Sequence, residues 1–129
     1  MTSTSDSVKA FLAEDSGLIR ARLQDALGAA DIDVIGQAGT PQACISGILD
    51  ARPDVVVLDI QLEGGSGLEV LKAVRSAEPE VAFIVFSSHA APVFRKRYLQ
   101  EGAVEFLDKS TDFEQLIPAV ASAGRRPVH

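Results

Sequence analysis

The chain has little of what several functions need. It holds one cysteine, Cys44, so no internal disulfide can form and no cysteine cluster can bind a metal. Cys44 reads as a small helix residue, and a reducing, cytoplasmic setting is expected. No excess of basic residues is present. Net charge is −6 and the pI is about 4.8, which excludes the broad basic face that phosphate-backbone contact requires, so direct nucleic-acid binding is not expected. No apolar run approaches the roughly 20 residues needed to cross a bilayer, so no membrane insertion is expected. The N-terminus, Met1-Thr2-Ser3-Thr4-Ser5-Asp6-Ser7, lacks the basic-then-apolar order of a signal peptide. The glycine-rich stretch Gly64-Gly65-Ser66-Gly67 lacks the spacing and lysine of a nucleotide-binding P-loop.

What is present is an apolar fraction of 47% in 129 residues, enough for the core of one domain. Strand and helix patterns alternate five times. Val8–Ala13 reads as a buried strand. A helix follows, with Ile19, Leu23, Ala26, Leu27 and Ala30 inward and Ser16 as its cap. The stretch 33–38 is a weaker strand, and Thr40-Pro41 opens a helix with Cys44, Ile45, Ile48 and Leu49 inward. The β-branched run 55–58 shows no alternation, as expected where both sheet faces are covered. The loop 63–67 leads to a helix with Leu68, Leu71 and Val74 inward. A fourth strand spans 82–86, and Pro92 opens a helix carrying Phe94 and Tyr98. A fifth strand spans 104–107. The last helix carries Phe113, Leu116, Ile117, Val120 and Ala121, with Pro118 expected to kink it or shift its start. Short connections predict right-handed crossovers, hence a five-stranded parallel sheet with helices on both faces. The domain is expected over 8–123, between a flexible segment 1–7 and a short polar tail 124–129.

Polar residues close the apolar runs. Glu14-Asp15 follows the first strand, Asp59 the third, Ser87 the fourth and Lys109 the fifth. In a parallel sheet these ends share the edge where open α/β proteins bind ligands. Three carboxylates, a hydroxyl and a lysine on one edge are the chemistry of a divalent cation and a phosphoryl group. Each residue alone has an ordinary reading: a strand-end turn for Glu14-Asp15, a helix cap for Asp59, a turn hydroxyl for Ser87, a surface amine for Lys109. Their joint placement is what argues for a site.

With Gly67 eight residues past Asp59, and Lys109 twenty-two past Ser87, this pattern resembles a response-regulator receiver domain of the CheY type, over nearly the whole chain. The resemblance implies a flavodoxin-like strand order 2-1-3-4-5. It implies that Asp59 accepts a phosphoryl group from the phosphohistidine of a sensor histidine kinase or phosphotransfer protein. Asp15, Asp59 and the backbone carbonyl of Gln61 would be direct Mg²⁺ ligands, with Glu14 acting mainly through water. Ser87 would hydrogen-bond the phosphoryl oxygen and Lys109 would pair with it. In the implied order Lys109 lies two strands from Asp59, about 9.6 Å, within reach of an extended lysine. Phe106 falls at the switch-aromatic position, and core packing is its equally ordinary reading. Gln61 and His89 would border the phosphoryl group and tune its hydrolysis, although His89 also reads as a loop residue. Receivers often carry a proline where Glu63 stands, and another where Ser110 follows the lysine.

The implied function is two-component signalling: autocatalysed phosphorylation and dephosphorylation, no metabolic enzyme activity, and output to a downstream protein through the face from Pro92 to Val120. The basic run Arg95-Lys96-Arg97 reads as a solvated helix face or as part of a surface for an acidic partner. Met1 and the polar tail favour a stand-alone receiver over one cut from a longer regulator, which stays open as an alternative. One alternative is a pseudo-receiver that never carries phosphate, against which the complete acid, serine and lysine set argues. Another is a flavodoxin-like FMN-binding electron carrier. Its phosphate loop would be Glu14-Asp15-Ser16-Gly17, whose charge repels phosphate, and its flavin flanks would need aromatics.

Overall fold

A computed structural model describes residues 7–125; most of the expected N-terminal segment and the tail beyond Arg125 lie outside the described residues. The chain runs β1 (Lys9–Ala13), α1 (Gly17–Ala29), β2 (Asp33–Ala38), α2 (Pro41–Ala51), β3 (Val55–Leu58), β4 (Gln61–Leu62), β5 (Gly65–Ser66), α3 (Gly67–Ala77), β6 (Ala82–Ser87), α4 (Pro92–Gln100), β7 (Glu105–Asp108) and α5 (Phe113–Gly124). Five strands form one parallel sheet in the order β2-β1-β3-β6-β7. Counting only these strands along the chain, the order is the expected 2-1-3-4-5.

The period-2 geometry of a strand divides the core in two. Phe11, Ala13, Val56, Leu58, Phe83 and Val85 face the layer built on α2, α3 and α4. Ala10, Leu12, Val55, Val57, Ala82 and Ile84 face α1 and α5, with Leu23, Leu27, Leu116 and Val120. The lack of alternation in β3 has this cause: both faces are covered, and all four residues are buried. Phe11 fills the space beside two glycines, since a Cβ on Gly36 or Gly47 would come within 2.8 or 2.9 Å of its ring.

Several local expectations need correction. The loop after Asp59 is a small antiparallel hairpin, β4 paired with β5, turning at Gly64 with φ of 82°. Strands of two residues leave no periodicity in a sequence. Val8 is buried but precedes β1, β6 extends to Ser87, and β7 is displaced by one residue to end at Asp108. Ala30 caps α1 and is exposed rather than inward. On α4 Tyr98 is buried, whereas Phe94 is 40% exposed. Pro118 does not shift the start of α5, which begins at Phe113 and runs past the proline on an exposed side.

Candidate functional site

Parallel register carries the carboxyl ends of β1, β3, β6 and β7 to one edge. The Glu14 amide donates to the Ala38 carbonyl at 3.0 Å and the Asp59 amide to the Ala13 carbonyl at 2.9 Å, so both acids leave the sheet from fixed backbone. Ser16 caps α1 by accepting from the Ile19 amide at 3.3 Å, and its own amide donates to Glu14 Oε2 at 3.1 Å. Glu14 and Asp59 are buried, while Asp15 is exposed. Glu14, Asp15 and Asp59 each bring a carboxylate oxygen within 4.8 Å of the others. After Asp59 the chain must pass close to itself. A Cβ on Gly67 would collide with the Asp59 carbonyl oxygen, so glycine is required where α3 begins.

Lys109 crosses the edge as strand spacing predicts. Its amide donates to the Ser87 carbonyl at 3.0 Å, which anchors the end of β7 to β6. Its Nζ donates to Glu14 Oε1 at 2.7 Å and to Asp59 Oδ2 at 2.9 Å. Burial alone would lower the Lys109 pKa, but its hydrogen bonds and ion pairs with the two acids outweigh burial and raise it. For Glu14 the balance is reversed. Burial pushes its carboxyl above the usual value, against the Lys109 hydrogen bond that lowers it, and the Asp59 charge adds to the rise. Lys109 gains two acidic partners, whereas Glu14 has burial and a second carboxylate set against a single shared amine, so the two balances tip differently.

The remaining expected residues surround this core unequally. Ser87 is buried at the end of β6, and its Oγ accepts from the His89 amide at 3.1 Å. His89 itself is exposed. The Gln61 amide donates to Asp59 Oδ1 at 3.4 Å, and Gln61 and His89 both line a groove of about 550 Å³ beside α4. Phe106 is not in the acid cluster. It sits on β7 beside Val85, is 2% exposed, and meets Tyr98 edge-on at 6.1 Å between centroids.

Arg20, and the contacts of Arg95, escaped sequence reasoning. Arg20 Nη1 donates to the Glu14 carbonyl at 2.6 Å. Arg95 is not merely solvated: its Nη1 donates to the Phe106 carbonyl at 2.9 Å and its guanidinium lies 5.1 Å from the centroid of that ring. Arg97 pairs with Glu101 at 3.1 Å, so two cations of the run have partners within the domain, although all three residues are exposed as a solvated helix face would be. Only a helical offset from the acidic pair could have hinted at Arg20, and such an offset is common.

Chemically, the cluster offers hard oxygen donors at close range, only partly neutralised by one amine. That donor set fits a hard divalent cation such as Mg²⁺, which takes one or two carboxylates and retains waters. Family-wide comparison matches residues 10–121 to the response regulator receiver domain. The chain belongs to that family. As a receiver domain of two-component systems, it is 32% identical over 118 residues to the DNA-binding transcriptional activator DevR/DosR of Mycobacterium tuberculosis, covering 91% of this chain and 54% of that protein. It is 35% identical over 107 residues to a protein-glutamate methylesterase/protein-glutamine glutaminase of Clostridium acetobutylicum, covering 81% of this chain but 31% of that protein. The receiver thus spans about half, or less, of the length of these curated relatives. Among solved structures, the signal receiver domain of NarL from Mycobacterium tuberculosis superposes with a TM-score of 0.86 at 30% identity, over 94% of this chain and 98% of that one. The response regulator domain of Thermotoga maritima CheB gives 0.81 at 25% identity, over 95% and 99%. No helix among the described residues is long and apolar enough to cross a membrane.

Proposed function

We propose that this receiver accepts a phosphoryl group on Asp59 from the phosphohistidine of a sensor histidine kinase or phosphotransfer protein, and that the modified domain changes its affinity for a protein partner. The observation that carries this reading is Lys109 Nζ held 2.9 Å from Asp59 Oδ2 beside two further acids. A carboxylate oxygen of Asp59 attacks phosphorus, the P–O bond forms as the P–N bond of phosphohistidine breaks, and the electron pair leaves with the imidazole. Lys109, now bonded to Asp59 Oδ2, would be within reach of the negative oxygens of the transferred group with little reorganisation, which supports this reading. Ser87 Oγ lies on the adjoining strand end, able to turn from its present bond toward a phosphoryl oxygen. Asp15, Asp59 and the Gln61 carbonyl would hold Mg²⁺ directly, and Glu14, already bonded to Lys109 and Ser16, would act through water. Bound there, Mg²⁺ would neutralise charge developing on the phosphoryl oxygens. Gln61 and His89, which both line the groove beside α4, would tune hydrolysis.

Output would leave by the face from Pro92 to Val120, with Phe106 as the switch aromatic. Phosphorylation shifts that equilibrium only if the phosphoryl group contacts the two states differently. Intact mass after incubation with Mg²⁺ and a small phosphodonor tests the first step. The expected result is one added phosphoryl group, lost with Asp59→Asn. A mass unchanged under those conditions, in folded protein, would favour a pseudo-receiver.

A further inference from the structure

Arg20 lies in the first turns of α1, outside every motif that marks the site. Its Nη1 donates to the main-chain carbonyl of Glu14 at 2.6 Å. Ion pairs with the cluster run through Lys109 instead, to Glu14 and Asp59. The guanidinium charge is therefore directed at backbone, at the peptide that joins the two acids of the loop. It also reaches the turn after β2. A Cβ on Gly39 would lie 3.0 Å from Asp15 Cα and 3.3 Å from Arg20 Nη1, so that turn carries no side chain where the arginine and the acidic loop pass. The Ala38 carbonyl accepts the Glu14 amide on the same side. One long side chain from α1 thus spans two loops and holds the peptide that aims Asp15.

We propose that Arg20 is a positioning residue for the cation: it fixes the Glu14–Asp15 peptide so that the exposed Asp15 carboxylate meets Asp59 at one point. This rests on the reading of the acid cluster as a Mg²⁺ site. Two effects of opposite sign make it testable. As a nearby positive charge Arg20 repels a divalent cation, so its removal should tighten binding. As a support for a ligand loop it preorganises the donors, so its removal should weaken binding, by the tenfold or more typical of groups behind metal ligands. A hydrogen bond to backbone rather than an ion pair with a ligand favours the second.

The experiment is a Mg²⁺ titration by calorimetry on the whole chain and on Arg20→Ala, Arg20→Gln and Arg20→Lys, with hydrogen exchange at the Asp15 and Ser16 amides in metal-free protein. Arg20→Ala should weaken Mg²⁺ about tenfold and speed that exchange, and Arg20→Lys, which keeps a donor, should recover part of both. Tighter or unchanged Mg²⁺ affinity in a folded Arg20→Ala overturns the proposal, and Arg20→Gln takes its place if the alanine variant does not fold. If the unaltered protein takes no Mg²⁺, the metal reading fails. Hydrogen exchange then judges the support role alone, and unchanged rates in Arg20→Ala overturn it too.

Discussion

Glu14 shows how a residue proposed to serve the cation can act against the fold. Burial raises its pKa, so the fold disfavours its charged form, a cost present above the folded pKa and relieved as pH falls through it. Glu14→Gln should therefore raise the melting temperature of the metal-free protein at pH 7, and the gain should shrink as acid protonates Glu14 in the unaltered protein. A gain that persists undiminished at low pH would point to a cause other than charge. Asp15, exposed and aimed by its loop, carries the complementary prediction. Mg²⁺ at one hundred times its Kd should stabilise the domain by about 2.7 kcal/mol through mass action, and Asp15→Ala should remove most of that gain, read as the Mg²⁺-dependent shift in thermal unfolding. Lys109→Ala should remain folded and able to bind Mg²⁺ but lose switching, since under the proposed function its partner would be the phosphoryl group. In the lining of the groove, His89→Ala should change the dephosphorylation rate more than Lys72→Ala on the surface of α3, and equal rates would leave His89 an ordinary loop residue.

Elements place these residues where single side chains could not. The β4–β5 hairpin returns the chain from Asp59 to α3 in a space so tight that Gly67 faces the Asp59 carbonyl oxygen. Gly67→Ala should cost about 1–3 kcal/mol, because the obstacle is backbone and cannot rotate aside. Denaturant unfolding measures this, and a neutral result would mean that the hairpin yields freely. On the opposite flank α4 is tied to β7 by Arg95, which holds both the ring and the carbonyl of Phe106. Arg95→Ala should cost about 0.5–1 kcal/mol for the lost cation–π contact and loosen Phe106. Methyl and aromatic NMR signals around Tyr98 and Val85 would report that loosening.

Across the whole molecule, the site and the proposed output face are joined by β6 and β7, where Ser87 pairs with Asp108 two positions beyond the Val85–Phe106 pair. Phe106 is already inward in this structure, so activation would act on its packing with Tyr98 and Arg95 rather than on burial alone. Phosphorylation should then perturb amide NMR signals from Pro92 to Val120, well beyond the acids. Shifts confined to the neighbourhood of Asp59 would make this receiver a phosphate store or sink rather than a switch.

Much of this architecture could be read directly. Alternating strand and helix patterns determined a sheet covered on both faces, and the polar residues closing four of the five strand runs pointed to one edge, because strand ends in a parallel sheet share one side. Glu14, Asp15, Asp59 and Lys109 were legible for that reason. Tertiary structure alone decided the rest. The β4–β5 hairpin is too short for any periodicity. Lys109 bridging two acids, Arg20 reaching a carbonyl and Arg95 covering a ring all depend on where long, flexible side chains end, and a sequence records only where they begin.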